Sequence, residues 1–184
     1  MNPSKDKGMI TFVSRSPSET KKIGSGIGRL LRENDVVALE GELGAGKTTM
    51  VKGIAKGLGI ASERDVVSPT FVLIHEYPAR KKIYHMDWYR LKSVEGADAS
   101  LAEECFNAQG VVLVEWAERG KNILPLERVR IRLKHQGPET RLITVDAKGR
   151  KYRALLDSLK KINPALSKVR TSVLRKRGVK GRSR

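Results

Sequence analysis

The chain has 184 residues, 39% of them hydrophobic and 31% charged, with a formal net charge of +17, which leaves room for one well-cored domain and not for two. Its longest purely aliphatic runs are about four residues, far too short to span a membrane. The opening Met1-Asn2-Pro3-Ser4-Lys5-Asp6 also lacks an apolar signal core, so a cytoplasmic protein without membrane contact is expected.

Met9 to Val13 reads as a short first strand. Ser16-Pro17-Ser18-Glu19 then has the form of a capping box, with Ser16 as N-cap and Pro17 at the first helical position. Capping frequency alone favours that role for Ser16 to Thr20 over direct nucleotide contact. The helix that follows puts Ile23, Ile27, Leu30 and Leu31 on one face, and Asn34-Asp35 ends it. The apolar run Val36 to Leu39 leads into Gly41-Glu42-Leu43-Gly44-Ala45-Gly46-Lys47-Thr48-Thr49, which fits GxxxxGK[ST]. Beyond it Met50, Val51, Ile54 and Leu58 recur at helical spacing, completing strand, loop and helix.

Each residue type in this loop has a physical role. Gly41, Gly44 and Gly46 permit a tight turn and close approach of an anion. The N–H groups of Leu43, Gly44, Ala45, Gly46, Lys47, Thr48 and Thr49 can point at phosphate oxygens, reinforced by the helix dipole. Lys47 is suited to reach β- and γ-phosphates, the Thr48 hydroxyl to take a position on Mg²⁺, and Thr49 to add a phosphate contact. The expected ligands are therefore a nucleoside triphosphate and Mg²⁺.

Further along, Pro69 biases Ser68 toward extended geometry, so Thr70 begins or precedes a strand, Phe71 to Tyr77. Thr70 reads equally as a strand-starting residue or as a sensor of the γ-phosphate and its metal. Lys82 to Asp87 and Val111 to Val114 are further strands. Each delivers a carboxylate at its C-terminal end, Asp87 and Glu115, where open α/β sheets hold their ligands. A carboxylate there can hold Mg²⁺ or orient an attacking water; a solvated strand-end acid is the plainer alternative. Val94 to Ala108 is expected to be helical with Leu101, Cys105 and Phe106 in the core, and Asn122 to Pro125 to be a loop. Cys105 is the only cysteine, which excludes an internal disulfide. Val129 to His135 and Thr140 to Asp146 alternate around Gln136-Gly137-Pro138-Glu139, the pattern of an antiparallel hairpin. Tyr152 to Ile162 would be a last helix with Leu155, Leu156 and Leu159 inward. His75, His85 and His135 have no zinc-ligand spacing. Residues 150–184 hold thirteen Lys or Arg against one acid, so residues 1–165 read as the domain and 166–184 as a basic, disordered tail, either solubilising or in contact with RNA.

With the loop, Ser68-Pro69-Thr70-Phe71, His85-Met86-Asp87-Trp88-Tyr89-Arg90-Leu91 and Val114-Glu115-Trp116 in this order, the chain resembles the TsaE (YjeE) family of small P-loop ATPases needed for threonylcarbamoyladenosine in bacterial tRNA. The likeness runs roughly from Val13 to Val145. It implies a three-layer α/β P-loop fold, mostly parallel in its sheet, with a C-terminal antiparallel hairpin. It also implies that Lys47 and Thr48 bind ATP and Mg²⁺, Thr70 lies in a switch-like loop, Asp87 serves hydrolysis and Glu115 holds the metal. Trp116 would lie close to the nucleotide, and the segment from Ser16 to Thr20 would align with the family's nucleoside contact. By the same resemblance the protein hydrolyses ATP while bound to the paired transferase subunits, of TsaD and TsaB type, and does not itself make the modification. In the hairpin Pro138 follows Gly137 where the family often carries Arg, so no nucleotide role is carried over to Arg141. The rival readings are a nucleotide or small-molecule kinase, a GTP-driven switch, which the absence of any Asn-Lys pair disfavours, and a non-enzymatic RNA-binding protein with structural ATP.

Overall fold

The computed structural model describes residues 8–162. In chain order they form β1 (Ile10–Ser14), α1 (Pro17–Leu30), β2 (Asp35–Glu40), α2 (Lys47–Leu58), β3 (Ile74–Tyr77), β4 (Ile83–Asp87), α3 (Gly96–Asn107), β5 (Val111–Glu115), β6 (Arg128–His135), β7 (Arg141–Lys148) and α4 (Arg153–Ile162). Short 3₁₀ turns stand at Ala117–Gly120 and Arg150–Tyr152. The basic tail expected over 166–184, and the domain's last residues before it, lie outside the described residues.

The seven strands make one sheet in the order β1-β7-β6-β2-β5-β4-β3. Its centre, β6-β2-β5-β4, is parallel, while β3 against β4, β7 against β6 and β1 against β7 are antiparallel. The sheet is thus mixed, and the expectation of a mostly parallel one is corrected. The physical reason is connection length: only a handful of residues separate β3 from β4 and β6 from β7, and a parallel neighbour needs a long crossover.

The unbroken apolar run in β2 has a cause in burial on both faces. Val37 and Leu39 enter a core with Ile27 and Leu31 of α1, Met50 and Ile54 of α2, and Leu155, Leu156 and Leu159 of α4. Val36 and Ala38 enter a second core with Val112 and Val114 of β5 and Ala102 and Cys105 of α3. Helices therefore cover both faces of the sheet. The C-terminal ends of β2, β4 and β5 share one edge, with Glu115 level with Leu39 on one side and Asp87 on the other.

Helices α1 and α2 approach to backbone contact through glycines. A Cβ on Gly28 would stand 2.2 Å from the Ile54 carbonyl oxygen, and one on Gly57 would stand 2.4 Å from that of Ser25. This fixes the seat of α2, the helix that opens at Lys47.

Two other expectations change. The strand predicted from Phe71 begins only at Ile74, because the N–H groups of Val72 and Leu73 both turn back to the Pro69 carbonyl and Leu73 adopts a φ of 68°. Phe71 is left 82% exposed, with the Arg90 guanidinium over its ring. In α3, Ala102 and Cys105 face inward and Leu101 is exposed, so Leu101 is not a core residue. Among the described residues no helix is long and apolar enough to cross a membrane.

Candidate functional site

Where β2 ends, the chain wraps into the glycine loop because Gly41, Gly44 and Gly46 take φ values of 148°, 74° and 100° that side-chain-bearing residues rarely adopt. At Gly41 the need is also steric, since a Cβ would meet the Leu133 carbonyl oxygen at 2.5 Å. Helix α2 starts directly at Lys47 with no side-chain cap, so its first N–H groups have no acceptor within the helix. The N–H groups of Gly44, Gly46, Lys47, Thr48 and Thr49 find no acceptor among the described residues, while that of Ala45 bonds Glu42 O at 3.1 Å. Converging donors at the positive end of a helix form a cradle for an anion.

Lys47 is buried, and its Nζ donates to Gly41 O at 2.7 Å and Glu42 O at 3.0 Å. The same Nζ lies 3.6 Å from the centre of the Trp116 ring, a cation–π contact. Burial pushes the ammonium below the ordinary lysine range, against the opposing pull of the Glu115, Glu118 and Asp87 carboxylates.

The two strand-end acids are both buried, and both are held by donors. Glu115 accepts the Thr48 hydroxyl at 2.9 Å through Oε2 and pairs with His85 Nε2 at 3.0 Å through Oε1. Asp87 accepts the hydroxyls of Ser68 and of Thr70, the latter at 2.9 Å, on Oδ2, and the Tyr89 N–H at 2.8 Å on Oδ1. The chain then reverses at Trp116, whose φ of 57° is a costly left-handed conformation. This turn lays the indole over Lys47, with Tyr89 at 5.0 Å from its ring.

These groups line a cleft of about 410 Å³ that includes Leu43, Gly44, Gly46, Lys47, Thr48, Thr49, Thr70, Asp87, Glu115 and Trp116. Ala45 is buried beneath it. Ser16 and Thr20 are not among its lining residues. Ser16 Oγ accepts the Glu19 N–H at 3.1 Å as a helix cap, and the buried Thr20 hydroxyl is engaged with Ser14 at 2.8 Å.

Four residues that take part went unassigned in the sequence. Ser68 and Tyr89 line the cleft beside Asp87, and both lie within the segments that flank Thr70 and Asp87. His85 supports Glu115; the signal was a histidine inside an otherwise apolar strand, which when buried requires a polar partner. Arg141 reaches the glycine loop from the start of β7, donating to Gly44 O at 3.3 Å and Ala45 O at 3.2 Å, and nothing local in the sequence announces it.

Chemically, the cradle suits a polyphosphate, and the Thr48 hydroxyl with the Glu115 carboxylate is a pair of hard oxygen donors suited to Mg²⁺. Asp87 is a carboxylate fixed by three donors within the same cleft.

Comparison with known proteins identifies a family. A family model described as "Threonylcarbamoyl adenosine biosynthesis protein TsaE" matches residues 14–143. A tRNA threonylcarbamoyladenosine biosynthesis protein TsaE of Bacillus subtilis is 46% identical over 145 residues, covering 78% of this chain and 89% of the relative. The protein of the same name from Treponema pallidum is 47% identical over 133 residues, covering 72% and 97%. The crystal structure of Bacillus subtilis YdiB superposes with a TM-score of 0.72 at 39% identity, covering 84% of this chain and 95% of that one.

Proposed function

The chain belongs to the TsaE family, and on that footing we propose that it is a Mg²⁺-dependent ATPase serving the threonylcarbamoyl modification of tRNA. In this reading its mixed seven-stranded α/β domain is a three-layer P-loop NTPase-like fold. The observation that supports the proposal most is the bond from Thr48 to Glu115, which joins the phosphate loop to the strand-end acid across 67 residues.

ATP would lie with its β- and γ-phosphates in the cradle of N–H groups. Lys47, released from Gly41 O and Glu42 O, would bond phosphate oxygens, where its charge opposes the negative charge gathering in the transition state. Thr48 and Glu115 are the residues to hold Mg²⁺, which supplies charge neutralisation on the phosphate oxygens. Asp87 orients a water and takes its proton as the water oxygen bonds the γ-phosphorus and the bridging oxygen leaves with ADP. Ser68, Thr70 and the Tyr89 N–H keep that carboxylate aimed. Trp116 would cover the nucleotide side of Lys47; a nucleoside contact by the Ser16 to Thr20 segment rests on the family resemblance alone, since neither Ser16 nor Thr20 lines the cleft.

The partners proposed are the paired transferase subunits of TsaD and TsaB type, which carry out the transfer in the cytoplasm while this chain hydrolyses ATP. The test is phosphate release from ATP by the purified chain, with Mg²⁺ and with a chelator, alone and with those subunits. Lys47→Ala is expected to lower turnover by about a thousandfold or more, since charge stabilisation of this kind is worth several kcal/mol. Near wild-type turnover in Lys47→Ala would sink the assignment.

A further inference from the structure

The β6–β7 hairpin closes over the back of the glycine loop. Arg141, its first β7 residue, spends its guanidinium on carbonyls: Nε on Ala45 O at 3.2 Å, Nη2 on Gly44 O at 3.3 Å, and Nη1 on the Gly137, Pro138 and Thr140 oxygens at 3.1 Å each. His135, at the end of β6 and level with Arg141, contacts Leu43 O at 3.3 Å through Nε2. Three consecutive loop carbonyls, Leu43 to Ala45, are therefore held from the hairpin side.

A trans peptide points its C=O and the next N–H in opposite directions. With Leu43 O and Ala45 O drawn toward the hairpin, the N–H groups of Gly44 and Gly46 face the other way, and they are among the loop donors without a protein acceptor. Glycine is the residue least able to hold a conformation unaided, so an external clamp matters most at these two positions. Arg141 is not one of the residues lining the cleft, whereas Gly44 and Gly46 are. It acts on the loop from behind.

We propose that Arg141 is a positioning residue of the nucleotide site, holding Ala45 O so that the Gly46 N–H is preset for the phosphates, while His135 does the same for the Gly44 N–H through Leu43 O. The inference rests on reading the cleft as an ATP site. Arginine is the residue suited to this task. Its planar fork bonds several acceptors at fixed angles, which the point charge of a lysine does not reproduce.

The experiment compares wild type, Arg141→Ala and Arg141→Lys by ¹⁵N relaxation of the Gly44 and Gly46 amides in nucleotide-free protein, and by ATP titration. In wild type both amides are expected to be rigid, with order parameters of about 0.85, and in both variants the Gly46 amide is expected to fall below about 0.6. ATP binding should weaken by about ten- to a hundredfold, the scale of one or two charge-assisted hydrogen bonds. Saturating ATP should restore order in the variants, because the phosphates then hold the same N–H groups. Lysine should fail almost as alanine does, since geometry and not charge is lost. Unchanged order parameters in both variants overturn the proposal. So does weakened ATP binding with an unaltered free loop, which would make Arg141 a direct phosphate ligand. Wild type that binds no ATP defeats the ATPase reading instead, and the relaxation arm still decides whether the clamp exists. If Arg141→Ala does not fold, Arg141→Lys carries the same measurement at Gly46, and His135→Ala reads the Gly44 amide.

Discussion

Helix α1 contains three glycines spaced two residues apart, and alanine substitution should act in opposite directions at two of them. A Cβ on Gly28 would lie 2.2 Å from Ile54 O and 3.0 Å from Gly57 Cα, whereas one on Gly26 would meet nothing within 4 Å. Carbon–oxygen contacts ordinarily close at about 3.3 Å. Gly28→Ala must therefore part α1 and α2 locally by about 1 Å, and the obstacle is backbone, which cannot rotate away. Overpacking of this kind costs about 1–3 kcal/mol. The better helix propensity of alanine returns about 1 kcal/mol at either site. The net expectation is a loss of about 2 kcal/mol for Gly28→Ala, at the severe end because backbone is hit, and a gain of up to about 1 kcal/mol for Gly26→Ala. For a domain of this size each kcal/mol moves the melting temperature by about 2–4 °C. Thermal unfolding followed by far-ultraviolet circular dichroism should thus show Gly28→Ala lower by about 4–8 °C and Gly26→Ala equal to or above wild type. ATP turnover should fall with Gly28→Ala alone, since α2 carries Lys47 and Thr48 at its first turn and small misplacements of reacting groups are costly. Equal stability of the two variants would refute the argument that backbone contact seats α2.

The two acids should separate by step. Glu115→Gln is expected to abolish the Mg²⁺ dependence of nucleotide binding, while Asp87→Asn keeps Mg²⁺-ATP binding within about threefold and slows turnover by about a hundredfold or more; identical effects on both steps would merge their roles. Emission of Trp116 should change when ATP draws Lys47 from its ring, now 3.6 Å away, and the change should vanish in Trp116→Phe. A silent titration at saturation would mean that Lys47 stays on the indole in the bound state. Burial pushes the Cys105 thiol up and leaves it little exposed, so alkylation at mildly alkaline pH should be slow in the folded protein and fast after unfolding. Rapid labelling of the native chain would contradict the packing of α3 against β4 and β5.

The amino-acid sequence by itself determined whatever depends on neighbours along the chain. The glycine loop is contiguous, so Gly41 to Thr48 are legible as a tight anion-binding turn from their own residue types. The cap at Ser16, the apolar run of β5 and the alternation of β6 and β7 are likewise local, and each was readable from periodicity or turn chemistry. Asp87 and Glu115 were legible as acids ending strands. That they stand level on adjacent strands, one holding Thr48 and the other Ser68 and Thr70, was decided by strand order. Hydrophobic periodicity reports that a side chain is buried and is blind to what lies against it, so Leu101 was read as inward although it is exposed, and the strand was read from Phe71 although a left-handed Leu73 delays it to Ile74. The most consequential contact is a distant one. Arg141 reaches Ala45 across 96 residues because β6 pairs with β2 and the hairpin returns β7 beside it, and only that tertiary arrangement aims one arginine at the loop's carbonyls.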